Sequence, residues 1–125
     1  QAAILAEIVR QVYTIEIRPG LGETARERLK EMGYRNIFVK IGDGYKGWPE
    51  KAPFNAVIVT CAPEKIPRPL IDQLTEGGRM IIPVGEERDI QELILLRKEK
   101  GMIIKKAVMS VVFVPMIKDE EIMVR

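Results

Sequence analysis

Two carboxylates stand at the ends of two successive apolar runs. Val12-Tyr13-Thr14-Ile15-Glu16-Ile17 closes on Glu16, and the run ending Ile41-Gly42-Asp43-Gly44 closes on Asp43. A strand buried in a parallel sheet is hydrophobic throughout, so a charge at its C-terminal end sits where the chain leaves the sheet. Open α/β sheets bind ligands at that edge. An ionised carboxylate only accepts hydrogen bonds, and a ribose offers two adjacent hydroxyl donors. Acids on neighbouring strand ends therefore suit a nucleoside, one on the sugar and one near the base. Glu16 alone does not name the cofactor, because the same arrangement serves nicotinamide dinucleotides. Asp43, between two glycines, also reads as ordinary turn chemistry. The same glycines would let a flat base approach the backbone closely. The chain carries no glycine-rich phosphate loop.

The rest of the chemistry is bounded by what is missing. There is no histidine and only one cysteine, Cys61. Ser-His-Asp, Cys-His and His-metal chemistry of the usual kinds are excluded, and no internal disulfide can form. A reducing cytoplasm is the expected compartment. Cys61 itself reads as a small buried hydrophobe, since no neighbour would lower its pKa.

The 125 residues suffice for one compact domain. Hydrophobic residues make up 46% and charged residues 30%, which fits a folded globular chain. Twenty basic residues against 18 acidic leave a net charge of +2, so neither nucleic acid nor membrane is expected as a partner. No apolar run approaches the ~20 residues that span a bilayer. Nor does the start of the chain have the basic segment and cleavage site of a signal peptide.

The elements that must position these residues alternate. Ala2 to Val9 reads as a helix with Ile4, Leu5 and Ile8 on one face. Strands are expected over Gln11–Ile17, Asn36–Ile41, Phe54–Cys61 and Arg79–Val84, the last cut off by Pro83 and Gly85. A helix over Leu21–Met32 ends at Gly33, and a short one covers Leu70–Leu74. Tyr45 to Pro53 is a loop in which Trp48 covers the site or packs the loop, and Gly77-Gly78 is a tight turn. Two further strands, Gln91–Arg97 and Lys106–Val114, have too few residues between them for a crossover and must form an antiparallel hairpin. Residues 117–125 are a polar tail that could be helical. The expected fold is α/β: a Rossmann-like, mostly parallel sheet ending in an antiparallel hairpin.

The order of features resembles class I S-adenosylmethionine-dependent methyltransferases. The local words are closer still to the protein-L-isoaspartate O-methyltransferase family. They are Tyr13-Thr14-Ile15-Glu16, Gly42-Asp43-Gly44, Ala52 to Val59, Pro69 to Leu74, Gly77 to Gly85 and Val112 to Pro115. Each word is weak, but the ordered series is highly specific. In that family Gln-Ala-Ala follows a Gly-x-Gly-x-Gly loop and a first strand, whereas here Gln1-Ala2-Ala3 opens the chain. The resemblance thus implies an N-terminally truncated domain. As a fragment it would be inactive, and it would self-associate or need its N-terminal part. Asn55 stands where the family usually has Asp, and Cys61-Ala62-Pro63 where an alanine-rich turn is common.

The resemblance further implies S-adenosylmethionine as cofactor, with S-adenosylhomocysteine as product, and isoaspartyl-containing proteins and peptides as substrate. Cofactor-binding residues would be Glu16 and Ile17 on the ribose side, Gly42, Asp43 and Gly44 around the adenine, and Thr60 near the methyl donor. Val84, Gly85, Val114 and Pro115 would line the peptide groove, although as bare sequence they are strand ends. A substrate carboxylate is already ionised at neutral pH, so methyl transfer requires alignment and exclusion of water rather than a base. No catalytic side chain and no metal ligand is therefore assigned. Two other readings remain: a nicotinamide-dependent oxidoreductase, and a non-catalytic half-domain that packs against a partner chain.

Overall fold

The computed structural model describes residues 1–118. The chain divides into two compact units, residues 1–44 together with Lys118, and residues 45–117.

In the first unit, helix α1 (Ala2–Ala6) leads to strand β1 (Val12–Glu16), helix α2 (Pro19–Glu31) and strand β2 (Ile37–Ile41). β1 and β2 are parallel and in register from Val12↔Ile37 to Glu16↔Ile41. Both are short runs of β-branched, aromatic and aliphatic residues, which favour extended backbone. Tyr13 and Phe38, paired across the ladder, stack with ring centroids 5.2 Å apart. α2 starts two residues before the expected Leu21, because Pro19 occupies a first-turn position where its fixed φ suits the helix. It stops before Gly33, whose φ of 86° is the left-handed conformation of a helix terminus. Arg26 Nη2 donates to the Val39 carbonyl at 2.8 Å and ties α2 to β2. α1 ends at Ala6, short of the expected Val9. The side-chain amide of Asn36 donates to the carbonyl oxygens of Ala6, Val9 and Arg10, which are thereby bonded outside a helical ladder.

The second unit holds strand β3 (Phe54–Ile58), helix α3 (Arg68–Asp72) and strands β4 (Leu74–Val84), β5 (Gln91–Glu99) and β6 (Met102–Val111), in the spatial order β3-β4-β5-β6. β3 and β4 are parallel, while β4–β5 and β5–β6 are antiparallel. The expectation of one mostly parallel sheet is thus corrected. The described strands form a two-stranded parallel sheet and a four-stranded mixed one, and β1 and β3 are each hydrogen-bonded along one edge only. The final hairpin is as expected, but its turn is only Lys100-Gly101, with φ of 52° and 73°. Two successive positive φ values match the twist of a two-residue hairpin, so β6 begins at Met102 rather than Lys106.

Gly77-Gly78 is not a turn between elements. It lies inside β4, in a bulge that moves the register from Phe54↔Leu74 to Ala56↔Arg79. Pro83 does not end the strand either, for it pairs with Leu93. β3 reaches β4 only as far as Ile81, and beyond that the missing proline N–H costs no ladder bond on that edge. Likewise β3 ends at Ile58, and Thr60-Cys61 lie past it. Leu70, Ile71, Leu74, Met80, Ile82 and Leu96 form the buried core of this unit. Lys98 Nζ donates to the Ile71 and Leu74 carbonyls, placing a cation at the end of α3. The expected tail helix lies, from residue 119 onward, outside the described residues.

Candidate functional site

The parallel register places Glu16 opposite Ile41, each the last residue of its strand. Gly42 N–H then donates to the Glu16 carbonyl at 3.0 Å, so the ladder runs one residue past β2 and brings Asp43 to the same sheet edge. Ile17 lies in the bend between β1 and α2. Glu16 is partly exposed, and its Oε1 accepts from the Arg18 N–H at 3.2 Å, which orients the carboxylate. Among the described residues, no partner is found for Oε2. An acceptor fixed at one oxygen and open at the other suits a ligand hydroxyl. Asp43 differs in being only 7% exposed and engaged within the protein. A Cβ on Gly42 would meet only the flexible Lys40 side chain, at 3.4 Å, so packing leaves space beside the backbone there.

Sequence reasoning overlooked the residue that sets this edge against its helix. Gly22 is buried in α2, and a Cβ there would lie 2.6 Å from Ile41 Cγ1 and 3.6 Å from Glu16 Cβ. The helix can rest on the ends of β1 and β2 only because this position lacks a side chain. A glycine inside an otherwise helical stretch was the available signal.

In the second unit, three segments meet beyond the strand ends. Ala62 N–H donates to the Val114 carbonyl at 2.7 Å, and Met116 N–H to the Ala62 carbonyl at 3.0 Å, bridging Ala62 to Pro115 in parallel. Gly85 N–H donates to the Pro63 carbonyl at 3.0 Å. Val84, Gly85, Val114 and Pro115 are therefore gathered around Ala62-Pro63, with exposed Thr60 two residues upstream. Val114 lies past the end of β6 rather than within a strand. Cys61 is half-buried rather than a fully buried hydrophobe.

The loop after Gly44 is also held by a residue the sequence did not flag. Gln73, 9% exposed, accepts from the Trp48 N–H at 2.9 Å and donates Nε2 to the Lys46 carbonyl at 2.9 Å. Trp48 is half-buried, and its main chain is fixed in this way. The Tyr45 hydroxyl donates to the Met116 carbonyl at 3.1 Å and joins this loop to the chain beyond Pro115.

The sequence model described as Protein-L-isoaspartate(D-aspartate) O-methyltransferase matches residues 1–121. The chain belongs to this family. It is 48% identical over 120 residues to a protein-L-isoaspartate O-methyltransferase of Gloeobacter violaceus, covering 96% of this chain and 58% of the relative. It is 56% identical over 117 residues to protein-L-isoaspartate O-methyltransferase 2 of Syntrophobacter fumaroxidans, covering 93% and 47%. Among solved structures, a protein-L-isoaspartate O-methyltransferase superposes with a TM-score of 0.88 at 26% identity, over 94% of this chain and 38% of that one. A putative family member from Plasmodium falciparum, solved with S-adenosyl-L-homocysteine, gives 0.74 at 28% identity, over 86% and 53%. The chain thus spans about half the length of the curated relatives it matches. Among the described residues no helix is long and apolar enough to cross a membrane.

Proposed function

We propose that this chain forms the adenosine-facing and peptide-facing part of a longer, cytoplasmic enzyme. That enzyme transfers a methyl group from S-adenosylmethionine to the free carboxylate of L-isoaspartyl residues in damaged proteins. The observation that carries the reading is the pair of acids at one edge of the parallel sheet, Glu16 with an open oxygen beside Gly42-Asp43. In this reading Glu16 accepts from the ribose hydroxyls, with Ile17 beside it, and Asp43 accepts from the adenine amino group next to the Gly44 backbone. Thr60 borders the methyl donor, and Val84, Gly85, Val114 and Pro115 border the peptide. When bound, the cofactor supplies an electrophilic methyl on a sulfonium. The chain's own residues bind, orient and keep water away. No general base is required, because a carboxylate nucleophile is already ionised near neutral pH.

Transfer of labelled methyl from S-adenosylmethionine to an L-isoaspartyl peptide by the whole protein tests the reading. The label is expected in an ester that alkali releases. Label that survives alkali, as an N-methyl group would, contradicts it.

A further inference from the structure

Gln91 is the first residue of β5, pairs with Val111 of β6 and is 1% exposed. β6 ends at Val111, and β5 has no earlier residue to pair with Val112 or Phe113. The Gln91 side chain takes over the ladder. Its Oε1 accepts from the Phe113 N–H at 2.6 Å, and its Nε2 donates to the Phe113 carbonyl at 3.2 Å. The orientation of the amide is fixed by this chemistry, since a flip would set donor against donor and acceptor against acceptor. Glutamine combines a donor and an acceptor on one planar end with a stem long enough to reach two residues past its partner.

That grip matters because only one side of the segment packs, with Phe113 and Pro115 half-buried. Val112 is 75% exposed and Val114 is 68% exposed. The backbone path is set by the carboxamide at Phe113 and by Ala62 at Val114 and Met116. The same glutamine supports a second segment. A Cβ on Gly85 would lie 2.8 Å from Gln91 Cγ and 3.0 Å from Gln91 Cα, so Gly85 lies directly on the stem of the side chain. One buried residue thus locates both Val84-Gly85 and Val112–Pro115.

We infer that Gln91 is a positioning residue for peptide recognition, fixing through Phe113 how Val114 and Pro115 face the substrate. The inference rests on the assignment of those residues to the peptide groove. Gln91→Met keeps the length and removes both bonds. Gln91→Glu keeps an acceptor for the Phe113 N–H and opposes an oxygen to its carbonyl. In the whole protein, the KM for an isoaspartyl peptide should rise about tenfold in both, because the loosened segment must then be ordered when the peptide binds. Affinity for S-adenosylhomocysteine should stay within about twofold, because no adenosine contact is touched. An unchanged peptide KM overturns the inference. So does a parallel loss of both affinities, or failure of both variants to fold, which would make Gln91 a folding residue only. If the wild type methylates no isoaspartyl peptide, the functional reading fails instead. Amide exchange at Phe113 then judges the clamp: slow exchange in the wild type and fast exchange in Gln91→Met uphold it, and equal rates overturn it.

Discussion

Gly42 donates its N–H to the carbonyl of Glu16 at 3.0 Å, so the two acidic strand ends are joined through the main chain. The spacing of Glu16 and Asp43 is therefore set by the backbone and does not depend on either side chain. Replacing one acid should leave the other in place, so the proposed contribution of each to adenosine binding can be measured separately.

Glu16→Ala is expected to weaken S-adenosylhomocysteine binding to the whole protein about tenfold to a hundredfold, the loss of one or two charge-assisted hydrogen bonds. Calorimetry measures this directly. Wild-type affinity in the variant would remove Glu16 from the site.

Gly22→Ala sets two effects of opposite sign against each other. Alanine gains about 1 kcal/mol of helix propensity over glycine. The new methyl would lie 2.6 Å from Ile41 Cγ1, near the base of a β-branched side chain, so either the Ile41 rotamer or the helix must shift. Overpacking of this kind costs roughly 1–3 kcal/mol, so the variant should be less stable by up to about 2 kcal/mol in urea unfolding. It should also bind the adenosine half more weakly, because the shift falls on the strand end beside Glu16. A variant as stable as the wild type would show that the helix does not rest on this contact.

How far the sequence reveals this architecture depends on how local each determinant is. An acid that ends an apolar run is visible within six residues, as Glu16 and Asp43 are. The hairpin was legible because its strands are too close for any other connection. Gln73 and Gln91 were not, because their partners lie 25 and 22 residues away and nothing nearby marks them. Gly77-Gly78 misled because paired glycines signal a turn and a bulge equally well. Strand–helix alternation predicts parallel pairing but is silent on which strands meet.

Gln73 and Gly47 should behave as one unit. Gln73→Leu removes the hydrogen bonds to the Trp48 N–H and the Lys46 carbonyl, at a cost of about 1–3 kcal/mol. Gly47→Ala places a methyl over the Gln73 amide and forces an L residue to a φ of 63°, so it should destabilise as well, by at least about 1–2 kcal/mol. The double variant should lose less than the sum, since leucine has no amide oxygen for the methyl to strike. Additive losses in urea unfolding would show that the two residues act independently.

The Tyr34 hydroxyl donates to Glu7 Oε1 at 2.8 Å, and this bond, followed by burial and the Glu7 charge, raises the Tyr34 pKa. A raised pKa in the folded state means that the bond stabilises the fold below the ordinary tyrosine pKa. That contribution is lost as pH climbs through the raised value. In an absorbance titration, Glu7→Ala should shift one tyrosine ionisation to lower pH. An unchanged titration curve would contradict the coupling.

The central claim is tested most directly by two peptides of one sequence, one with L-isoaspartate and one with L-aspartate at the same position. The whole protein is given labelled S-adenosylmethionine and each peptide in turn. Label should appear on the isoaspartyl peptide and not on its twin. Equal labelling of both, or labelling only of a small molecule or a nucleic acid, would contradict the assignment.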